Sequence, residues 1–257
     1  MSLLLAGALA AGCGRADHGS TGTRASTPPV TPTSATLEEG LSEVEILVDR
    51  GNRLVATDKG AAIELLSEAI RKDPSHQRAR SVRGLLLAEL NRDDEAFEDA
   101  EYLREHRSLL AGSIAAVLRL KSSQYVTDGN QLLAAGDASS ALAKFETAIR
   151  FHTEGAAGYA GRGRVRVRQG QLTDAESDFT RALQLDAESW AAFVGRGELR
   201  IAQGDHARAL EDLNRAIQLA PNESGSYRVR SKAFALKGDS TAAEQDLRTA
   251  DRIESER

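Results

Sequence analysis

One spacing, 34 residues, constrains this chain more than any other feature of its sequence. Residues 122–257 repeat the same unit four times without a gap, at 122–155, 156–189, 190–223 and 224–257. The repeated positions form an aromatic column, a glycine column, two alanine columns and a large apolar column. These are Tyr125, Tyr159, Phe193, Tyr227; Gly136, Gly170, Gly204, Gly238; Ala141, Ala175, Ala209, Ala243; Ala148, Ala182, Ala216, Ala250; and Phe145, Phe179, Leu213, Leu247. Such a period predicts stacked pairs of antiparallel helices.

The unit 190–223 reads as a helix, a turn and a second helix. Gly204 interrupts the first apolar helical pattern and can end that helix in a left-handed conformation, while Asp205 can cap the next helix. Pro221 closes the unit. One such hairpin cannot bury its apolar face alone, so the units are expected to stack.

Upstream, residues 37–110 fit two degenerate units, which brings the count to about six. Asn91 stands where the turn glycine belongs, and Ala100 stands where a larger side chain is expected. Residues 111–121 interrupt the period. Their apolar residues Ile114, Val117 and Leu118 predict either an extra short helix or an extension of the following helix.

Opposite charges recur at two fixed positions of the repeat and predict contacts between the paired helices. The predicted pairs are Arg83 with Asp99, Arg162 with Asp178, Arg196 with Asp212, Arg230 with Asp246 and, with both signs reversed, Asp128 with Lys144. If largely exposed, each pair contributes about 0.2–1 kcal/mol. A ligand-binding role for these arginines is the weaker interpretation, because each already has a partner.

Residues 162–168 alternate Arg with Gly or Val, a local pattern that favours a strand. The 34-residue register places them in a first helix, and we follow the register because packing overrides weak local propensity. An Arg-Gly stretch can bind nucleic acid. The net charge of −5 and the lack of a second basic element argue against nucleic acid as a partner.

The chain resembles the tetratricopeptide repeat family: an aromatic residue, a glycine, Gly-Asp at the turn, then Ala, Phe or Leu, Ala and Pro, in consecutive units. The resemblance implies an all-α, right-handed superhelical solenoid that binds proteins or peptides on its concave surface. It also implies a groove along the first helices, lined by Ala160, Gly161, Arg164, Arg168, Val194, Glu198, Arg228, Lys232 and Leu236. Its cationic residues could receive a carboxylate or an acidic peptide.

The N-terminus looks like a bacterial lipoprotein signal. Residues 1–12 contain a short apolar run that ends at Cys13, the only cysteine. This run is too short to span a bilayer but suits a secretory signal. Residues 13–36, rich in Ser, Thr and Pro, are expected to form a disordered tether, and 36–39 reads as a capping box that opens the first helix. These features predict a lipid anchor at Cys13 and a periplasm-facing position in the cell envelope.

Residue types for catalysis do not converge anywhere in the sequence. The five histidines are scattered, and there is no paired-cysteine or HExxH metal motif, phosphate-binding glycine loop or nucleophile elbow. We therefore expect no enzyme activity, cofactor, metal or small-molecule substrate. Three hypotheses remain: a membrane-anchored envelope scaffold in an assembly complex, a soluble cytosolic scaffold without a signal peptide, and the non-catalytic part of an enzyme complex.

Overall fold

The computed structural model describes residues 41–256, which form twelve α-helices and contain no strand. The helices are α1 (Glu43–Leu54), α2 (Lys59–Lys72), α3 (Gln77–Glu89), α4 (Asp93–Glu105), α5 (Ala111–Ala134), α6 (Ala138–Phe151), α7 (Ala156–Arg168), α8 (Leu172–Leu185), α9 (Trp190–Ala202), α10 (His206–Leu219), α11 (Ser224–Leu236) and α12 (Ser240–Ser255). The all-α prediction is confirmed. Residues 162–168 are helical, as the register predicted.

The described helices fall into two compact units, one ending at Leu118 and the other beginning at Arg119. In the N-terminal unit, α1 packs on α2, α2 on α3 and α3 on α4. In the C-terminal unit α6 packs against α7. The hairpins α7–α8, α9–α10 and α11–α12 each pack within themselves and against the next hairpin. The division falls within the predicted interruption at 111–121. These residues begin the 24-residue helix α5, so the extension, rather than a separate short helix, is observed.

In five of the six hairpins described between residues 41 and 256, a left-handed residue ends the first helix; the α1–α2 turn has none. Gly136, Gly170, Gly204 and Gly238 have φ of 89°, 75°, 81° and 85°, and Asn91 takes their place with φ of 60°. At Gly204, the N–H of the glycine donates to the carbonyl of Ile201, and the next N–H donates to that of Arg200. Asparagine tolerates this conformation better than most residues, which explains why the degenerate unit keeps its turn.

Aspartates that follow three of the glycines cap the second helices. The side chains of Asp137, Asp205 and Asp239 accept from the N–H groups of Ser140, Arg208 and Ala242, respectively. The predicted capping box at 36–39 lies outside the described residues. The capping box that the structure describes is formed by Ser42 and Glu45 at the start of α1.

Phenylalanines on the second helices fit between glycines of two successive hairpins. Phe145 on α6 faces Gly129 of α5 and Gly161 of α7, where an added Cβ would lie 2.8 and 2.1 Å from the ring. Phe179 repeats the arrangement, because a Cβ at Gly163 or Gly195 would lie 2.7 or 2.3 Å from its ring. Neither position has room for a side chain, so these glycines allow successive hairpins to close around one aromatic ring.

This packing varies in two other hairpins. Leu213 replaces the phenylalanine in the next hairpin, and Val229, rather than glycine, packs against its cluster. In the N-terminal unit the equivalent position is Ala100, and Ile114 supplies bulk nearby. A Cβ at Gly84 would lie only 2.5 Å from Ile114 Cδ1. The residue that looked degenerate in sequence is therefore accompanied by a side chain from α5.

None of the helices described between residues 41 and 256 is both long enough and apolar enough to cross a membrane.

Candidate functional site

Four of the five charge pairs predicted from sequence are in contact. Arg162 donates from Nε and Nη2 to the two carboxylate oxygens of Asp178 at 3.0 and 2.7 Å. The same two-pronged contact joins Arg83 to Asp99, Arg196 to Asp212 and Arg230 to Asp246. In the pair with reversed signs, Asp128 and Lys144 contact other residues instead of each other. Asp128 accepts from Gln124 Nε2 at 2.7 Å, and the Lys144 ammonium lies 5.1 Å from the centroid of the Tyr125 ring.

These aspartates are buried, unlike the exposed pairs for which the sequence-based energy was given. The side chain of Asp178 is 4% exposed, and Arg166 joins Arg162 in binding it. Additional arginines, Arg80 and Arg200, bind the aspartates of two other hairpins. Hydrogen bonds that Arg162 and Arg196 donate to the aspartates raise the pKa of both guanidinium groups. The arginines therefore hold the paired helices together. Sequence reasoning missed the second arginines, although Arg166 and Arg200 stand 34 residues apart.

A concavity of the C-terminal unit runs along α7 and is called here the main groove. It has a volume of about 770 Å³ and is lined by α5, α7, the start of α9 and the loops before α7 and α9. Val126, Leu133, Ala156, Ala157 and Ala160 provide apolar surface along it. A volume of this size lies within the range of ligand-binding clefts.

Of the nine groove residues predicted from sequence, four line the main groove: Ala160, Gly161, Arg164 and Arg168. Arg168 also lines a smaller groove of about 400 Å³ together with Glu198 and Lys232. The other three lie outside both linings. Val194 is buried in a core cluster, Arg228 binds Asp251 and Glu254 of α12, and Leu236 is half-exposed on α11.

The two arginines of the main groove already have partners within the protein. Arg164 donates from Nε and Nη2 to the carboxylate of Glu198 at 3.0 and 3.3 Å, and Arg168 donates to the backbone carbonyl of Leu133. Arg164, Glu198 and Lys232 stand 34 residues apart with alternating charge. The Arg164–Glu198 ion pair links the hairpins of α7 and α9, and a bound carboxylate would have to compete with Glu198 for Arg164.

The small residues of the groove also have a packing reason. The Gly161 position touches Phe145, and an added Cβ at Gly158 would lie 2.9 Å from Ile149 Cγ1. Ala160 is buried against neighbouring alanines of the core. The stacking of the hairpins therefore requires these residues to be small, and the groove floor that they form is a consequence of this packing.

Sequence reasoning missed the residues at the end of the groove where α7 and α9 begin. Trp190, the only tryptophan, is 38% exposed there, and Glu154, Asp186 and Glu188 lie in the adjoining loops. The sequence does contain a signal for Trp190. The equivalent positions of the other three regular repeats hold small residues, Ser122, Ala156 and Ser224, so the tryptophan departs from the repeat.

His152 also lines this end of the groove. Burial lowers the pKa of its imidazole, Arg119 lowers it further, and Glu154 opposes the change. The imidazole is therefore neutral at pH 7 and adds no positive charge to the groove. Among residues 41–256 no group of histidine, cysteine, aspartate and glutamate side chains is placed to hold a metal ion.

Two stretches of the chain, residues 52–108 and 160–224, match the family model described as tetratricopeptide repeat. Together with the helical hairpins and their left-handed turns, this match confirms the resemblance that the sequence suggested. Residues 52–108 and 160–224 are tetratricopeptide repeats. These repeats support a role in protein–protein interaction.

Several solved structures are similar to the chain. The crystal structure of MamA is 15% identical, with a TM-score of 0.39, and the match covers 80% of this chain and 95% of MamA. A tetratricopeptide repeat protein from Parabacteroides merdae is 20% identical, with a TM-score of 0.41, covering 82% and 79%. The first repeat domain of Spaghetti (RPAP3), bound to an HSP90 peptide, is 21% identical, with a TM-score of 0.39, covering 47% and 95%. No curated protein matches the chain.

Proposed function

We propose that this protein is a scaffold that binds a segment of a partner protein in the main groove. The observation that supports this most is the groove itself: a continuous, largely apolar concavity of about 770 Å³ on repeats of a protein-binding family. Its walls come from packed helices with buried cores, so the surface is formed before a partner arrives. A preformed site loses less conformational entropy on binding.

Filling the groove is expected to reduce capture of the partner strongly. Ala157 is exposed on the lining of the main groove, so Ala157→Phe adds bulk there without disturbing the core. We expect affinity capture from cells followed by quantitative mass spectrometry to recover the partner about tenfold less with Ala157→Phe than with the wild-type chain. This corresponds to the loss of one central contact worth about 1.4 kcal/mol.

The matched control is Ala143→Phe, which adds the same side chain at an exposed position of α6 outside the groove. It should capture the same proteins as the wild type. Both variants should keep the helical circular dichroism and thermal midpoint of the wild type. Undiminished capture by correctly folded Ala157→Phe would rule out the main groove as the binding surface.

The scaffold is further proposed to be a lipoprotein anchored to a bacterial envelope membrane and facing the periplasm, where it would serve an assembly complex. Support comes from the sequence: an apolar run, Cys13 and a Ser, Thr and Pro-rich tether follow in the order expected of a lipoprotein signal. Cys13 lies outside the described residues. The two alternatives are a cytosolic scaffold and a non-catalytic part of an enzyme complex. In both, the proposed binding surface would still be the main groove.

Lipidation has a direct test in bacterial cells fed a clickable palmitate analogue. The wild-type chain is expected to incorporate the label and to sediment with membranes, whereas Cys13→Ser is expected to do neither, because its hydroxyl cannot replace the thiol that is lipidated. Equal labelling and equal sedimentation of the two chains would contradict the anchor at Cys13.

A further inference from the structure

The main groove differs in charge between its two ends. The end at the first turns of α7 and α9 has three exposed carboxylates, Glu154, Asp186 and Glu188. The opposite end has Arg168, whose guanidinium binds the Leu133 carbonyl. Arg164, between the two ends, forms its ion pair with Glu198. The carboxylates are therefore the charged groups of this groove most available to a ligand.

The positive ends of the two helices only partly offset these carboxylates. The N-caps of α7 and α9, Gly155 and Ser189, make no side-chain capping hydrogen bond. Each helix N-terminus is equivalent to about half a positive charge. Two such termini against three carboxylates leave this end of the groove with an excess of about two negative charges. Arg215 approaches Glu188 only to 4.0 Å, and both side chains are exposed, so it screens this carboxylate weakly.

The Trp190 side chain is partly exposed, and no cation contact of its ring is described between residues 41 and 256. The aromatic residues of the repeat column, Tyr159, Phe193 and Tyr227, each have the arginine of their own hairpin 5.4–5.6 Å from the ring centroid. Within residues 41–256 the structure gives Trp190 no such cation. An exposed tryptophan beside carboxylates is a favourable site for a lysine ammonium or an arginine guanidinium.

The length of the groove suits a short extended segment. From Ala156 to Arg168 the groove follows α7 for about 18 Å at 1.5 Å per residue. An extended chain spans the same length with about five residues.

We propose that the main groove binds an extended peptide segment with a lysine or arginine at the Trp190 end, close to Glu154, Asp186 and Glu188, and an apolar side chain on the alanine floor. This inference rests on the proposed function and specifies the chemistry of the partner. It differs from the sequence-based expectation of an acidic peptide. That expectation relied on cationic groove residues, and in the structure Arg164 and Arg168 already have partners within the protein.

Selection from a random peptide library that lacks tryptophan tests the chemistry of the ligand. The full chain is the bait, and binders that also bind Ala157→Phe are discarded, so that the retained peptides depend on the groove. We expect these peptides to be enriched in lysine or arginine next to an apolar residue. Because Trp190 is the only tryptophan, its emission reports binding of each synthesised peptide at the site itself.

Matched variants then test the carboxylates. Glu154→Gln/Glu188→Gln is expected to weaken binding about three- to tenfold for the loss of two partly exposed ionic contacts. Glu211→Gln, an exposed position on α10 outside the groove, should bind like the wild type.

Three outcomes separate the two proposals. Groove-dependent peptides that are basic, and weakened by the double variant, support the inference. Groove-dependent peptides that are acidic, or basic ones unaffected by the double variant, overturn the inference and leave the groove as a binding surface. A selection that yields no groove-dependent peptide contradicts both proposals.

Discussion

Replacing Gly195 with valine is expected to lower the free energy of unfolding by about 3 kcal/mol, although valine is the more hydrophobic residue. The new Cβ would lie 2.3 Å from Phe179 Cε1, 2.7 Å from Cζ and 3.0 Å from Arg164 Cγ. The Phe179 ring is fully buried and cannot move aside without separating two hairpins. Overpacking of a dense core costs about 1–3 kcal/mol, and more when the surroundings are rigid.

A second substitution should recover most of this loss. Phe179→Leu together with Gly195→Val reproduces Leu213 and Val229, the pair found one hairpin later. The double variant is expected to be within about 1 kcal/mol of the wild type in urea denaturation, a large favourable coupling between neighbouring residues. Gly225→Val is the control, because a Cβ there meets open space. Additive losses in the double variant would mean that the ring does not set the spacing of the hairpins.

Arg230→Met is expected to destabilise the last hairpin by about 3 kcal/mol. Arg230 supplies both hydrogen bonds to Asp246, at 2.8 and 2.7 Å, and that carboxylate is buried. In residues 41–256 the structure gives Asp246 no second arginine. Removing one partner of a buried ion pair leaves an uncompensated charge, which typically costs about 3–5 kcal/mol.

Arg196→Met is the comparison for Arg230→Met. The buried Asp212 loses Arg196 but keeps Arg200, whose Nη1 lies 2.7 Å from its carboxylate. We expect a loss of about 1.5 kcal/mol, the lower end of the range for a hydrogen bond to a charged group, rather than the cost of an unpaired charge. Thermal and urea unfolding of the two variants measure the difference. Equal losses would show that the second arginine does not compensate.

The repeat period was sufficient to predict helices, turns and most interhelical pairs. A 34-residue spacing places Gly204 and Arg196 in equivalent positions of successive hairpins, and the physical demands there are local: a left-handed turn and a carboxylate one helix away. The period also outweighed the strand-like alternation of residues 162–168, because the packed helix buries both Gly163 and Val165.

Features that depend on packing between hairpins could not be read from the same columns. The burial of Asp178, the fit of Gly195 over Phe179 and the contribution of Ile114 beside Gly84 all depend on distances between helices, which a linear pattern does not contain. Five of the nine predicted groove residues lie outside the main groove for the same reason. Arg228, for example, binds carboxylates of α12 instead of facing the groove.

The residues at the Trp190 end of the groove were missed for a different reason. Glu154, Asp186 and Glu188 stand in or beside the loops between hairpins, where the repeat imposes little. Function in repeat proteins is often carried by positions that depart from the repeat, since these are free to vary without loss of packing. A search for departures from the columns, rather than agreement with them, would have identified Trp190.

Site-specific photo-crosslinking tests the central claim, that the main groove is the partner-binding surface, most directly. A photoreactive amino acid placed at position 157 in the groove, or at position 143 on the exposed side of α6, is activated in living cells. We predict a discrete crosslinked partner from position 157 only, with the attachment mapped to a segment rich in lysine or arginine. Crosslinking of the same partner from position 143 and not from position 157 would contradict the account.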